Sequence, residues 1–336
     1  MQEKLPVLVT GGAGYIGSHA VLALRDAGWP AVVVDDLSTG FREAVPDDVP
    51  FYDGDVSDTV LIEQVFIEEG IGAVMHFAGS IVVPESVSDP LAYYDNNTVK
   101  SRSLIEAAVE QDIAAFLFSS TAAVYGMGRS DGEPIDEATA PSPINPYGWS
   151  KLMTEQMLAD AGKAHGLGWT ALRYFNVAGA DPKGRAGQST QEATHLMKIA
   201  CQAALGKRDK VSVFGSDFDT PDGTGVRDYI HVSDLANAHV LALERMLDTP
   251  GAASIMNCGY GHGFSVREVL RAVEQVSGTT LRIEDAPPRP GDPAKLVADA
   301  ARLRSNLEWR PRHDDLTTIV RHALAWEARM DERQFA

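Results

Sequence analysis

A glycine-rich turn joins an apolar segment to an amphipathic one near the start of this chain. Its spacing is Gly11-x-x-Gly14-x-x-Gly17, and it follows the apolar run 6–10 and opens the helical pattern 16–27. Glycine permits a tight turn and close backbone approach, and the amides at a helix N-terminus attract an anionic group such as a pyrophosphate. The turn therefore predicts a strand, a phosphate-binding loop and a helix, in that order.

The same alternation of short apolar and longer amphipathic runs continues through the first half of the chain. It predicts an α/β fold, with a doubly wound parallel (Rossmann) sheet covered by helices on both faces. The other predicted strands are residues 31–35, 73–77, 115–120 and 169–175. The other predicted helices are residues 58–68, 98–111 and 147–165. Asn145 is placed as the N-cap of the last helix, with Pro146 at its first position.

After Asn176 the pattern changes to longer loops rich in Gly, Asp and Pro, at residues 179–188, 217–225 and 286–293. We therefore expect a sheet domain over residues 1–176 and a smaller, irregular α/β domain for a substrate over residues 177–336. A predicted helix at 234–247 and a strand at 254–258 suggest that residues 234–258 return to the first domain.

Composition narrows the classes of partner. The chain carries 47 acidic and 29 basic side chains, a formal net charge of −18, which repels nucleic-acid phosphates and anionic lipid. No apolar stretch reaches the roughly 18 residues of a membrane span, and the first residues lack the apolar core of a signal peptide. Cys201 and Cys258 lie outside any CxxC spacing, and the histidines show no metal-ligand spacing. We expect a cytoplasmic protein without disulfides, a metal, nucleic acid or a membrane.

An acid after the second predicted strand supports a dinucleotide at the glycine turn. Asp35 lies 18 residues after Gly17, where such an acid binds ribose hydroxyls. Without that context the turn is equally explained by tight helix–strand packing. Asp35 and Asp36 repel a 2′-phosphate, so NAD is favoured over NADP, although Asp36 by itself is best interpreted as a solvated loop residue.

Two further segments are candidates for the same cofactor. Phe77-Ala78-Gly79 ends a predicted strand with small residues, which suit backbone that lies against a ligand. Asp55 follows a short strand, but by itself it is interpreted as a turn residue. His76 stands inside an apolar run, so we predict a hydrogen-bonded core histidine rather than a catalyst.

Tyr147 and Lys151 stand one helical turn apart, so they share a helix face. The ammonium favours the phenolate, but lowering a tyrosine pKa from about 10 to about 7 takes roughly 4 kcal/mol. We expect the lysine and a nicotinamide cation together to supply it. The competing interpretation is a surface tyrosine, with Lys151 paired to Glu155. Thr121 at a strand end, placed to hydrogen-bond the reacting oxygen, favours the catalytic interpretation.

The combination of Gly-x-x-Gly-x-x-Gly, Thr121 and Tyr-x-x-x-Lys resembles the extended short-chain dehydrogenase/reductase family. Over residues 7 to about 311 the chain is most similar to the UDP-sugar 4-epimerases of that family. The stretches that carry the resemblance are residues 9–19, 36–40, 93–97, 173–176 and 222–232. The last two discriminate more strongly than the glycine turn does.

The resemblance implies reversible oxidation at C4 of a UDP-hexose, with NAD retained through each cycle. It implies that Tyr147 is the base and that Lys151 also binds the nicotinamide ribose. The cofactor contacts that we expect are Gly11, Gly14, Tyr15, Ile16, Gly17, Asp35, Asp55, Val56, Phe77, Ala78, Gly79, Asn96, Lys151 and Phe175. The substrate contacts that we expect are Thr121, Tyr147, Asn176, Phe214, Arg227, Arg289, Asp292 and Leu296.

Several alternatives stay open at this point. Leu296 falls where some members carry a tyrosine that narrows the hexose pocket, so a UDP-N-acetylhexosamine stays open as substrate. A UDP-pentose also stays open, because the sequence does not show how the C6 group is held. A 4,6-dehydratase is disfavoured because Ala122 and Ala123 replace the acidic pair that elimination needs. A non-catalytic NAD-binding scaffold is the alternative from another class. Family resemblance also implies a homodimer, formed by helices 98–111 and 151–165.

Overall fold

The computed structural model describes residues 4–129, 131–190, 194–289 and 291–334. The start of the chain and residue 290 of the predicted loop 286–293 therefore lie outside the described residues. The strands are β1 Val7–Thr10, β2 Ala31–Asp35, β3 Phe51–Asp53, β4 Ala73–His76, β5 Ala115–Thr121, β6 Gly168–Tyr174, β7 Asn176–Ala178, β8 Val211–Phe214, β9 Val226–Arg227, β10 Tyr229–His231, β11 Ala253–Cys258, β12 Phe264–Ser265, β13 Ile283–Ala286 and β14 Lys295–Leu296.

The helices fall between these strands. They are α1 Tyr15–Asp26, α2 Thr59–Glu69, α3 Val83–Ser88, α4 Pro90–Tyr94, α5 Lys100–Glu110, α6 Pro146–His165, α7 Leu196–Ala204, α8 Val232–Asp248, α9 Val266–Ser277, α10 Ala301–Leu307 and α11 Leu316–Gln334. A π-helical turn at Asp95–Val99 precedes α5, and the predicted helix 98–111 therefore has an irregular first turn. In the part of the chain that the structure describes, no helix is both long and apolar enough to cross a membrane.

Seven strands form one sheet in the order β11-β6-β5-β4-β1-β2-β3. All neighbouring pairs are parallel, which confirms the predicted doubly wound α/β class. The strand β11 comes from the second half of the chain and pairs with β6 from Ala253↔Trp169 to Cys258↔Tyr174. The division into two domains at residue 176 stays a prediction.

Side chains on the central strands alternate between two cores. In β1, Val7 and Val9 belong to one hydrophobic cluster with α1 and α8, while Leu8 belongs to another with α2 and α5. In β2, Val33 faces the first cluster, and Val32 and Val34 face the second. Both faces of the sheet are covered because successive side chains of a strand point to opposite sides.

The second half of the chain adds smaller sheets that the sequence pattern did not predict. They pair β7 with β10, β8 with β13, and β9 with both β12 and β14. These strands have two to four residues, too few to show a period in the sequence. They bring β9 and β14 side by side, with Arg227 opposite Leu296.

Helix α6 begins as predicted. The side chain of Asn145 accepts a hydrogen bond from the backbone N–H of Gly148 at 2.9 Å, and Pro146 occupies the first turn. The helix ends at Gly166, whose φ of 77° lies in the left-handed region that favours glycine. The cap fixes where the first turn of α6, with Tyr147, starts.

Replacing Asn145 with alanine removes that cap, so we expect the free energy of unfolding to fall by about 1 kcal/mol. A lower urea midpoint measured by circular dichroism checks this. Asn145→Ser is the matched control, because serine caps helices nearly as well. Equal losses in the two variants would contradict a capping role.

Candidate active site

The glycine turn is held together by backbone contacts that exclude side chains. Gly11 has a φ of 68°, and its N–H donates to Val34 O at 2.9 Å. A Cβ on Gly17 would lie 2.0 Å from Gly11 O, and one on Gly11 would lie 2.5 Å from Ala78 N. Both separations are far inside van der Waals contact, so only glycine lets α1 approach the ends of β1 and β4 this closely.

The turn presents groups that fit a dinucleotide. Gly14 is the N-cap residue of α1 and provides no side-chain cap, so the first amides of α1 remain available to a diphosphate. Asp35 ends β2, and its two oxygens accept hydrogen bonds from Ala13 N at 2.8 Å and Leu37 N at 2.9 Å. Each oxygen keeps a second lone pair for a ribose hydroxyl. Burial raises the pKa of Asp35.

The other predicted cofactor contacts differ in what their side chains do. The Tyr15 hydroxyl donates to Gly179 O at 2.7 Å, so this side chain ties α1 to a loop. Asp55 accepts from Ser57 N at 2.8 Å and pairs with Lys100. Because the Tyr15 hydroxyl is already bonded to Gly179, a cofactor would contact the backbone of Tyr15.

Apolar members of the predicted cofactor set belong to the walls of the sheet. Val56 and Ala78 pack in the cluster with α2 and α5, whereas Ile16 and Phe77 pack against the opposite one. His76, the last residue of β4, is buried. It shares hydrogen bonds with Thr10 Oγ1 at 2.7 Å and Ser101 Oγ at 2.8 Å, which confirms the predicted core histidine. Burial lowers its pKa to about 3.

A network that the sequence did not reveal lies beside the loop after β4. The Asn97 side chain accepts from Ser80 N at 2.7 Å and donates to Ser80 O at 2.9 Å and Ser150 Oγ at 3.0 Å. Asn96 Nδ2 donates to Ser80 Oγ at 2.8 Å. Both asparagines lie in the π-helical turn, which places successive side chains toward the same loop. The network fixes the backbone after Gly79 against α6.

Tyr147, Lys151 and Thr121 meet at the carboxyl end of β5. The exposed fractions of Tyr147 and Lys151 are 7% and 3%, and that of Thr121 is 8%. Lys151 Nζ donates to Ser119 O at 3.2 Å and lies 4.9 Å from the centre of the Phe118 ring. A Cβ on Gly79 would be 3.5 Å from the same nitrogen, which places the ammonium between β4 and β5. The structure therefore excludes a surface tyrosine and a solvated lysine.

The pKa values of Tyr147 and Lys151 show how burial acts on the two groups. Burial raises the pKa of the phenol, and a side-chain hydrogen bond with Thr121 offsets part of the rise. Burial also lowers the pKa of Lys151 to about 8. Desolvation disfavours both charged forms, so the lysine alone does not make this phenol acidic. A positive charge placed near the phenol would favour its ionised form.

Glu155 does not pair with Lys151 as the competing interpretation required. Its carboxylate binds Arg173, with Arg173 Nε to Glu155 Oε1 at 2.9 Å. Ser120 Oγ donates to the same oxygen, and Ser119 Oγ lies 2.6 Å from Tyr174 Oη. An arginine within the apolar strand 169–175 was the sequence signal for this buried pair.

The predicted substrate residues form two groups of contacts. Arg227 pairs with Asp292, and it also donates to Val226 O at 2.9 Å. The guanidinium of Arg289 lies 4.0 Å from the centre of the Phe214 ring, which is 36% exposed. Arginine on an aromatic face makes a cation–π contact and keeps its N–H groups free at the edge. Two cations therefore flank this side of the site.

Leu296 pairs with Arg227 in the sheet and also contacts the turn that follows β5. It packs against the cluster of Ala122, Val124, Tyr125, Ile135, Phe175 and Ala298. Phe175, predicted as a cofactor contact, thus shares a cluster with the predicted hexose-pocket residue. Asn176 N donates to Asp228 O at 2.9 Å, so the start of β7 is bonded to the residue that follows Arg227.

The fold also brings together three histidines that are far apart in sequence. The ligand nitrogens of His231, His313 and His322 lie within 4.8 Å of one another. His231 Nδ1 accepts from Ser233 N at 3.1 Å, so Nε2 carries the proton and donates to His322 Nδ1 at 3.0 Å. In this tautomer His231 offers no lone pair to a metal ion.

Comparisons with known proteins agree with this geometry. Residues 7–259 match the model of the NAD dependent epimerase/dehydratase family. The UDP-glucose 4-epimerase of Azospirillum brasilense is 60% identical over 326 residues, which cover 97% of this chain and 93% of that protein.

Solved structures are similar over nearly the whole chain. The UDP-glucose 4-epimerase of Brucella ovis in complex with NAD has a TM-score of 0.92 and 43% identity, and covers 96% of this chain and 98% of its own. The UDP-Glc/GlcNAc 4-epimerase of Campylobacter jejuni has a TM-score of 0.84 and 43% identity, and covers 97% and 99%. With its glycine turn, buried Tyr147–Lys151 pair and parallel sheet, this chain belongs to the NAD dependent epimerase/dehydratase family.

Proposed function

We propose that the protein is an NAD-dependent isomerase that interconverts UDP-glucose and UDP-galactose at C4. The observation that carries the proposal is the buried group of Tyr147, Lys151 and Thr121, two strands from a glycine turn that fits a dinucleotide. A scaffold that only binds NAD has no use for a hydroxyl, a phenol and an amine at one point. The names of the similar proteins support this activity.

Tyr147, Thr121 and Lys151 have different roles in the proposed reaction. Tyr147 removes the proton of the 4-hydroxyl as C4 is oxidised, and it returns a proton after the 4-keto sugar has turned over in its pocket. Thr121 hydrogen-bonds the phenol and holds it toward the sugar. Lys151, held by Ser119 O, supplies positive charge below the phenol. The glycine turn and Lys151 would hold NAD, which would supply a reversible hydride acceptor for C4 and a cationic ring that favours the phenolate.

The remaining predicted contacts are assigned to the two ligands. For NAD we propose Gly11, Gly14, Tyr15, Ile16, Gly17, Asp35, Asp55, Val56, Phe77, Ala78, Gly79, Asn96, Lys151 and Phe175. For the UDP-sugar we propose Asn176, Phe214, Arg227, Arg289, Asp292 and Leu296, beside Thr121 and Tyr147. Arg227 and Arg289 would bind the diphosphate. Asp292, which pairs with Arg227 in this structure, would then accept a hydrogen bond from a ribose hydroxyl.

We propose a cytoplasmic homodimer with a sheet domain over residues 1–176, joined by 234–258, and a substrate domain over the remainder. Support for a dimer comes from apolar side chains that lie exposed on adjoining helical segments. They are Val87 at 64%, Leu91 at 77%, Val99 at 53%, Trp149 at 43% and Met153 at 41%. Helix α6 packs against α3, α4 and α5, so these residues lie on neighbouring segments of one side of the molecule. Apolar patches of this kind mark interfaces.

Removing the phenolic oxygen with Tyr147→Phe should lower kcat for UDP-galactose by about 10²- to 10⁴-fold, the range for loss of a general base. A coupled assay for UDP-glucose measures it, and NAD released on denaturation shows whether the cofactor stays bound. Tyr52→Phe is the control, because the Tyr52 hydroxyl bonds only the surface residue Glu69 in the described contacts. Full activity of Tyr147→Phe would refute the proposed role.

Leu296→Tyr should reduce turnover of UDP-GlcNAc relative to UDP-glucose by at least about tenfold, because a ring at this position fills space beside C2 of the sugar. The ratio of kcat/KM values for the two sugars is the measurement. Leu296→Met keeps the volume of the side chain and should leave the ratio near that of the parent protein. Equal effects of Leu296→Tyr on both sugars would remove the N-acetyl hypothesis.

A charge at the exposed apolar surface should separate the subunits. We expect Leu91→Glu to give a monomer, as measured by light scattering after size exclusion. Val60→Glu is the matched control, since Val60 on α2 is 74% exposed and lies outside the proposed interface. Retention of a dimer by Leu91→Glu would contradict this interface.

A further inference from the structure

A buried ion pair lies one helical turn beyond Lys151. Glu155 and Arg173 are each 3% exposed, and the pair joins α6 to β6. Arg173 Nε donates to Oε1 of Glu155 at 2.9 Å, and Arg173 Nη2 donates to Oε2. Ser120 Oγ also donates to Oε1. Both oxygens of the carboxylate are therefore engaged.

The pair is the centre of a longer network. Arg173 Nη1 donates to Tyr125 Oη at 2.9 Å, and Tyr125 in turn donates to Asn257 Oδ1 at 2.8 Å. Asn257 Nδ2 then donates to Ile135 O at 2.7 Å. The guanidinium also lies 4.9 Å from the centre of the Tyr125 ring. These bonds hold Arg173 in one orientation, with its fork on Glu155.

Lys151 and Glu155 form hydrogen bonds with neighbouring residues of β5. Lys151 binds the carbonyl of Ser119, and Glu155 binds the hydroxyl of the next residue, Ser120. A lysine and a glutamate four residues apart on a helix are close enough to pair. In a site without water such a pair would be favoured strongly over an unpaired carboxylate. Glu155 therefore needs another cationic partner if Lys151 is to stay on Ser119.

We propose that Arg173 is a positioning residue that engages Glu155 and thereby leaves the Lys151 ammonium directed at Ser119 O, beside Tyr147. Without Arg173, Lys151 turns toward Glu155 and its charge no longer supports the phenolate. Without Glu155, the Arg173 charge is uncompensated and adds to that of Lys151. This inference rests on the proposed role of Tyr147 as base.

The two single changes have opposite electrostatic signs. Turnover requires the deprotonated phenol, so the acid limb of the kcat profile follows the pKa of Tyr147. Arg173→Met leaves negative charge and raises that pKa, which moves the limb to higher pH. Glu155→Gln leaves positive charge and moves the limb to lower pH. A charge roughly 10 Å away, at an effective dielectric constant of about 20, shifts a pKa by roughly one unit.

The other groups that face the phenol are the same in both variants. They are Thr121 from β5, Tyr93 from α4 and Tyr174 from β6, and Lys151 lies one turn along the same helix. A loosened fold would change kcat or stability in the same direction in both variants. It has no reason to move the two limbs in opposite directions.

The experiment compares pH profiles of kcat for the full-length protein with bound NAD. Ultraviolet difference absorbance of the Tyr147 phenolate, taken against Tyr147→Phe, follows the same ionisation without turnover. We expect a shift of roughly one pH unit downward in Glu155→Gln and upward in Arg173→Met. Arg173→Lys keeps the charge and should leave the limb near that of the parent protein. The double variant Glu155→Gln/Arg173→Met should return it there.

The second buried ion pair provides a matched control. Lys198 and Glu327 have side chains that are 4% and 6% exposed, and they join α7 to α11 away from the site. Glu327→Gln should lower the melting temperature without moving the limb. If Arg173→Met fails to fold, Glu155→Gln decides alone.

Coincident limbs in Glu155→Gln and the parent protein would overturn the inference. So would shifts of the same sign in both single variants. An acid limb that persists in active Tyr147→Phe would instead refute the proposed function, so the two failures are distinguishable.

Discussion

Exclusion of water from the first turns of α6 governs the chemistry of this molecule. Tyr147 and Lys151 are almost completely buried against β5, so both pay the desolvation cost of their charged forms. The pKa of the phenol rises, while that of the ammonium falls to about 8. Burial thus favours the neutral form of each side chain more than water does. In such a place a single added positive charge has a large effect, because little solvent screens it. Burial therefore makes the ionisation of Tyr147 sensitive to nearby charge.

The order of the strands explains how Thr121 and the glycine turn come to lie at the same edge of the sheet. Thr121 ends β5 and the glycine turn follows β1, with β4 between them. Adjacent strands lie about 4.8 Å apart, so these two ends are separated by roughly 10 Å. The chain reverses its direction of winding between β4 and β1, and α/β sheets bind ligands at such a point. Close packing at Gly11 and Gly17 then lets α1 start directly at that crevice.

The sequence predicted most of the seven-stranded sheet and its helices because their signals are local. Strand and helix periods, the Asn145 cap and the burial of His76 follow from neighbouring residues. Partners across the fold were harder to predict. The sequence showed Glu155 one turn from Lys151, but the partner of Glu155 is Arg173, which lies on another element. The bonds from Asn97 to Ser80 and Ser150 depend on an irregular π-helical turn, and the strands β9 and β14 are too short to show a pattern. Desolvation of Tyr147 was missed because spacing does not measure burial.

Two buried ion pairs, Lys198–Glu327 and Glu155–Arg173, differ in what their charges do. Removing an arginine and a glutamate from water costs more than their attraction usually returns, so a well-packed apolar pair would serve stability as well. The Lys198–Glu327 pair ties a helix in place, and it shares its glutamate with Lys207. The Glu155–Arg173 pair instead joins α6 to β6 next to Ser120 of β5, and each nitrogen of the guanidinium donates one hydrogen bond. An apolar pair there would hold α6 equally well, but it would not set the electrostatic potential around Lys151. That difference argues that the charge of this pair, rather than its packing, accounts for its place beside the site.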